Sequence, residues 1–150
     1  MIEIKKQLYT LCTEYVQNRM EAAQQAINDA QKASNDDTKS SAGDKYETGR
    51  EMAQQETNRN LAQLNEANKL KIALNLISYE HLSEQAEPGA VIITDQGNFY
   101  MAISAGLLTV KNENYFAISP ASPIGLKLKG LKAGAQFNLN NKIYLIKQII

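Results

Sequence analysis

Few side chains in this sequence are of a type and spacing suited to chemistry. There is one cysteine, Cys12, and one histidine, His81, so a single chain can build neither a Cys/His zinc cluster nor an internal disulfide. A Cys–His nucleophile pair would need these two to meet. Cys12 sits in a strongly helical stretch, where its expected role is that of a small apolar residue on a packed face. His81 follows a second helical stretch and is placed to interact with the C-terminal carbonyls of that helix. Two adjacent carboxylates, Asp36 and Asp37, fall in a polar run, where the bland role is a solvated turn with one of them closing an Asx turn. Lys127, Lys129 and Lys132 form either a solvated basic face or a docking patch for an acidic protein surface. Arg50 either pairs within its own helix or faces acids on a partner. The glycines between Ser122 and Gly134 have no P-loop order and no Lys-Ser/Thr pair. A free-standing enzyme is therefore the least favoured class.

These residues are carried by two kinds of element. Residues 3–34 hold neither Gly nor Pro, and Tyr9, Cys12, Val16, Met20, Ala23, Ile27 and Ala30 recur at steps of three or four. A helix of that length is a rod of roughly 48 Å. Its distal half is mostly alanine, which permits close approach but buries little apolar area. Residues 35–43 break the pattern. Asp44 is a candidate N-cap with Glu47 three residues on, and helix resumes over 45–79. The spaced face there is Ala53, Thr57, Leu61, Leu64, Ala67 or Asn68, and Leu74, with Ile77 beyond. A short polar connection predicts an antiparallel helical hairpin, thinly apolar near its tip and better packed at its base. Such a rod is either a dimerising coiled coil or something that reaches.

After a connector at 81–90 the period becomes two. Apolar runs at 90–94, 99–103, 106–110, 115–118, 136–139 and 143–149 read as strands, with turns at 95–98, 111–114 and 140–142. Residues 124–131 read as one or two helical turns. The expected class is α+β: a helical hairpin over 1–80 with its tip near 35–44, then a small antiparallel β unit with one short helix over 81–150.

Composition divides at the same point. The chain has 150 residues and no net charge, but residues 1–88 carry 14 acidic and 10 basic residues, a net −4, and residues 89–150 carry 2 and 6, a net +4. All three prolines and six of the eight glycines lie in residues 88–150. Neutrality argues against coating nucleic acid or an anionic membrane by bulk charge. The N-terminus has no long apolar leader, and no run approaches the roughly 20 apolar residues that span a bilayer. A soluble cytoplasmic protein is expected.

Two segments resemble the Gre transcript-cleavage factors, bacterial elongation factors that enter the secondary channel of RNA polymerase. One is Ala117-Ile118-Ser119-Pro120-Ala121-Ser122-Pro123-Ile124-Gly125, followed by Leu126 to Leu131, Ala133-Gly134 and a last strand ending Tyr144-Leu145-Ile146-Lys147-Gln148-Ile149. It is similar to the family's Ile-Ser-x-x-Ser-Pro stretch and its terminal Tyr-x-Ile-x-x-Ile strand. The other, Asp44-Lys45-Tyr46-Glu47-Thr48-Gly49-Arg50-Glu51, is similar to the family's segment just past the hairpin tip.

The resemblance implies an FKBP-like second unit without prolyl-isomerase activity. It also implies that the partner is RNA polymerase, with RNA and DNA met only through it. Arg50, Ser122, Pro123, Ile124, Gly125, Lys127 and Lys129 would be the polymerase-binding residues. Tip carboxylates would hold a Mg²⁺ shared with the polymerase, present only in that complex, since the chain needs no cofactor of its own. The family's acidic tip positions fall, by ungapped count from Tyr46, on Lys39 and Ala42, which cannot ligate Mg²⁺ in that way. A shifted loop would bring Asp36 and Asp37 into that role. The expectations that follow are a cleavage-stimulating factor acting through Asp36 and Asp37, or a regulator that binds without cleavage. A third is a coiled-coil interaction protein or homodimer. A monomer is expected on the first two.

Overall fold

A computed structural model describes residues 1–38 and 43–150, without the side chains of residues 34–48. The chain is α+β and divides into two compact units, Met1–Tyr15 with Ile72–Ile150, and Val16–Lys71. The division falls inside both long helices, not at residue 80, because the base of each helix folds with the sheet.

Helix α1 runs Ile2–Thr38 and α2 runs Gly43–Asn75. At 37 residues α1 is about 55 Å long. It continues through Asn35, Asp36, Asp37 and Thr38, so the loop expected over 35–44 is corrected at its front. Asn and Asp cost only about half a kcal/mol each in a helix interior, and extending a formed helix is far easier than starting one. Lys39 and Ala42 lie outside the described residues, as do the side chains of Asp36, Asp37, Asp44 and Glu47. At its far end α2 stops at Asn75, short of the expected 79. There Leu76 and Ile77 donate to Ala73 and Leu74 in tighter i→i+3 bonds.

In the Val16–Lys71 unit, Val16, Ala23, Ile27 and Ala67 are buried. Arg19 Nη2 donates to Gln63 Oε1 at 3.1 Å, which pairs an early residue of α1 in this unit with a late one of α2, as in an antiparallel pair. The expected inward Leu61 is 43% exposed. Thr57, Leu64 and Ala67 turn inward as expected, and Asn60 takes the inward place between Thr57 and Leu64, at steps of three and four. Asn60 Nδ2 is buried there without a hydrogen-bond partner among the described residues.

The other unit is built on six strands: β1 Val91–Thr94, β2 Gly97–Met101, β3 Gly106–Val110, β4 Glu113–Ile118, β5 Gln136–Leu139 and β6 Lys142–Ile149, with α3 (Pro123–Leu128) between β4 and β5. The sheet order is β3-β4-β2-β1-β6-β5. The expectation of a purely antiparallel sheet is corrected, because β2 and β4 pair in parallel, Asn98 with Tyr115 through Met101 with Ile118. After β2 the chain crosses to the sheet edge to form β3, then β4 returns into the gap between β3 and β2. The β1–β2 turn holds two residues and not four, since Thr94 already faces Gly97. Two other hairpins turn on Lys111-Asn112 (φ 51° and 66°) and Asn140-Asn141 (φ 51° and 65°). Both central residues are left-handed in each, the type I′ geometry that fits strand twist, and asparagine tolerates it without glycine.

Alternation along the strands gives the sheet two apolar faces. On one, Ile92, Phe99, Met101, Ile118, Phe137 and Ile146 form a core with Ala86, Ala90 and Leu128 of α3. On the other, Tyr100 lies near Tyr9 and Cys12 of α1, with Val91, Tyr115 and Ala117 also buried. Tyr100 is fully buried and its hydroxyl has no hydrogen-bond partner among the described residues. Burial, and secondarily Cys12 and Tyr9, push its pKa up. An unpaired buried hydroxyl is costly, so Tyr100→Phe is expected to raise stability by about 1 kcal/mol. Urea unfolding should show a higher midpoint at unchanged slope; a lower midpoint would mean that the hydroxyl is bonded.

Candidate functional site

The segment that carries the resemblance folds as a tight turn into α3. Ser122 is the N-cap, and its Oγ accepts from Gly125 N at 3.1 Å while donating to Ser119 O at 2.6 Å. Ser119 Oγ accepts from Ala121 N at 3.0 Å. Pro123 opens the helix, where a missing N–H costs nothing. Gly125 is buried against the turn, and a Cβ there would lie 2.2 Å from Ser119 O and 2.8 Å from Pro120 O. Ser122, Pro123 and Gly125 thus build the segment, and Ile124 packs partly buried on the sheet core.

What the turn presents outward is different. Lys127 and Lys129 are exposed, and Leu126 between the core residues Gly125 and Leu128 is 64% exposed. Leu126 was not singled out by the sequence, since an isolated leucine in a six-residue helix has no periodicity to betray its face. Arg50 is exposed on α2 and belongs to the Val16–Lys71 unit. Asp36 and Asp37 both lie in the last turn of α1, with their side chains outside the described residues.

A second polar cluster was invisible to pattern reading. Lys5 is fully buried, although lysine is among the side chains least often found inside. Its Nζ donates to His81 O at 2.8 Å and to Ser83 Oγ at 3.1 Å, which ties the first turns of α1 to the connector that precedes β1. His81 Nε2 lies 3.3 Å from Glu87 Oε1, so its side-chain partner is in the connector and not at the end of α2. Burial lowers the Lys5 pKa, and the Glu87 carboxylate opposes that shift. The folded state therefore holds this proton less tightly than the unfolded chain. The charged lysine costs stability below its lowered folded value, and the cost fades as pH rises from that value toward 10.5. Stability of the native chain minus that of Lys5→Met should accordingly increase from pH 7 to about pH 10.5 in parallel urea titrations. A flat difference would contradict it.

Cys12 is fully buried and its thiol is pushed up to about 12 by desolvation, so it stays protonated and inert. Among the described residues no group of three or more His, Cys, Asp or Glu could hold a metal ion. No helix among them is long and apolar enough to cross a membrane. Compared with family models, curated proteins and solved structures, the chain matches none.

Proposed function

We propose that this protein is a Gre-like, cytoplasmic bacterial factor that binds RNA polymerase at its secondary channel and promotes cleavage of backtracked RNA through Asp36 and Asp37. The observation that carries the proposal is the Ser119–Leu128 turn. Its motif residues are used to build a rigid seat, and the seat displays Leu126, Lys127 and Lys129, an apolar residue beside two cations. That composition suits an acidic protein surface. The order of elements supports the same reading: two long helices, then a six-stranded unit with one short helix, which on this reading is FKBP-like. Asp36 and Asp37 offer the oxygen ligands that Mg²⁺ takes. A Mg²⁺ shared with the polymerase would supply an activated water for hydrolysis, so the factor completes an active site and is not itself an enzyme.

A second reading, a polymerase regulator without cleavage, is favoured by Lys39 and Ala42 at the family's acidic tip positions. One experiment separates the two. Purified protein is added to stalled, backtracked elongation complexes across a range of Mg²⁺ concentrations. Shortening of the RNA from its 3′ end supports the first reading. Binding without shortening selects the second. Failure to bind polymerase, with a stable dimer in solution, overturns both in favour of a coiled-coil interaction protein.

A further inference from the structure

Strand β3 is an edge of the sheet and, among the described residues, pairs only with β4. Its five residues, Gly-Leu-Leu-Thr-Val, carry no charge and no proline, and its pairing with β4 runs without a bulge. Proteins ordinarily blunt such an edge with one of those devices. The opposite edge, β5, is only four residues long and points Gln136 and Asn138 to solvent. On β3, by contrast, Leu107 is 53% exposed and sits opposite Phe116, itself 48% exposed. Val110 and Glu113 flank a two-residue turn, so they form a bonded pair and alternate residues of β3 bond to β4. Leu107 and Thr109 therefore aim their backbone N–H and C=O groups outward.

Beside this edge runs a groove of about 730 Å³ between the first turns of α1 and the end of β3. Its wall includes Ile2, Glu3, Lys6 and Leu11, and its floor Thr109 and Lys111. Two cations there face one anion. The α1 wall lies on the Tyr100 side of the sheet, while Leu107 and Phe116 lie on the other. A strand added to β3 would direct alternate side chains to these two sides. One set would meet Leu107 and Phe116, and the other would meet Lys6 and Lys111.

We propose that the β3 edge binds an extended segment of another protein, with alternating apolar and acidic residues, which joins the sheet as an additional strand. The proposal stands apart from polymerase binding through α3 and does not need it.

The test is selection of a random 12-residue peptide library, displayed on phage, against the full-length chain. Enriched peptides should alternate apolar and acidic residues and lack proline in their central positions. N-methylation of a selected peptide at every second amide should weaken binding about tenfold or more in one phase and leave it unchanged in the other, since only one set of amides faces β3. Lys6→Glu with Lys111→Glu, both exposed, should lower affinity about tenfold without changing the circular dichroism spectrum. No enrichment, peptides without acids, indifference to the charge reversal, or N-methylation effects without alternation would each overturn the proposal. So would self-association of the chain that is lost in Thr109→Lys, because a second copy would then occupy the edge.

Discussion

Gly125→Ala is expected to destabilise the sheet unit by about 3 kcal/mol, near the upper end of single-substitution effects. The added methyl carbon would lie 2.2 Å from Ser119 O and 2.9 Å from the Pro120 carbonyl carbon. Both are backbone atoms, so no side chain can rotate away. Either the turn over residues 119–122 opens or α3 lifts from the sheet. The first breaks the Ser122 bonds to Ser119 O and Gly125 N, a cap worth about 1 kcal/mol. The second exposes Leu128, which is fully buried in the core. For a chain of this size the melting temperature should fall by roughly 10 °C. A shift of under about 2 °C would show that the seat is not rigid. Polymerase binding should fall with it, because Leu126, Lys127 and Lys129 are positioned by that seat. Lys127→Ala with Lys129→Ala removes the charges without touching the turn. It should weaken binding while leaving the melting temperature within about 2 °C, since exposed charges contribute little to stability.

Replacing Asp36 and Asp37 together by alanine is expected to abolish RNA shortening, by about a hundredfold or more, while polymerase affinity stays the same. The scale follows from metal-assisted hydrolysis, where a bound cation supplies several kcal/mol of transition-state stabilisation. Neither residue lies in the sheet unit, so the double variant should melt as the native chain does. Full shortening by the double variant would remove these aspartates from the chemistry.

Much of this architecture can be read from periodicity. Six strands, two long helices and a short one follow from where the apolar period is 3.6, where it is 2 and where turn residues interrupt it. Other features depend on partners distant in sequence. Parallel pairing of β2 and β4 is set by β3 going to the edge, which no local signal encodes. Burial of Lys5 depends on a carbonyl 76 residues away and a hydroxyl 78 residues away. Asn60, not Leu61, faces inward because a thin alanine stripe leaves the rotation of α2 to its pairing with α1, as between Arg19 and Gln63. At the site, the spacing of Ser122, Pro123 and Gly125 was legible as a motif but not as a seat. The difference rests on how closely Gly125 approaches the preceding turn. The helical state of Asp36 and Asp37 was hidden by their turn-forming character, which a helix of 37 residues overrides.

Met1–Tyr15 and Ile72–Ile150 form one compact unit although 56 residues separate them. During synthesis, Lys5, Leu8 and Cys12 leave the ribosome well before Tyr100, which packs near Cys12. At about 5–20 residues per second, the first turns of α1 spend several seconds without the surface that buries them. A nascent chain halted before β2 holds an amphipathic helix with a buried lysine position and nothing to cover it. The base of α1 is therefore covered only once the face built from β1 to β4, with Val91, Tyr100, Tyr115 and Ala117, has been made.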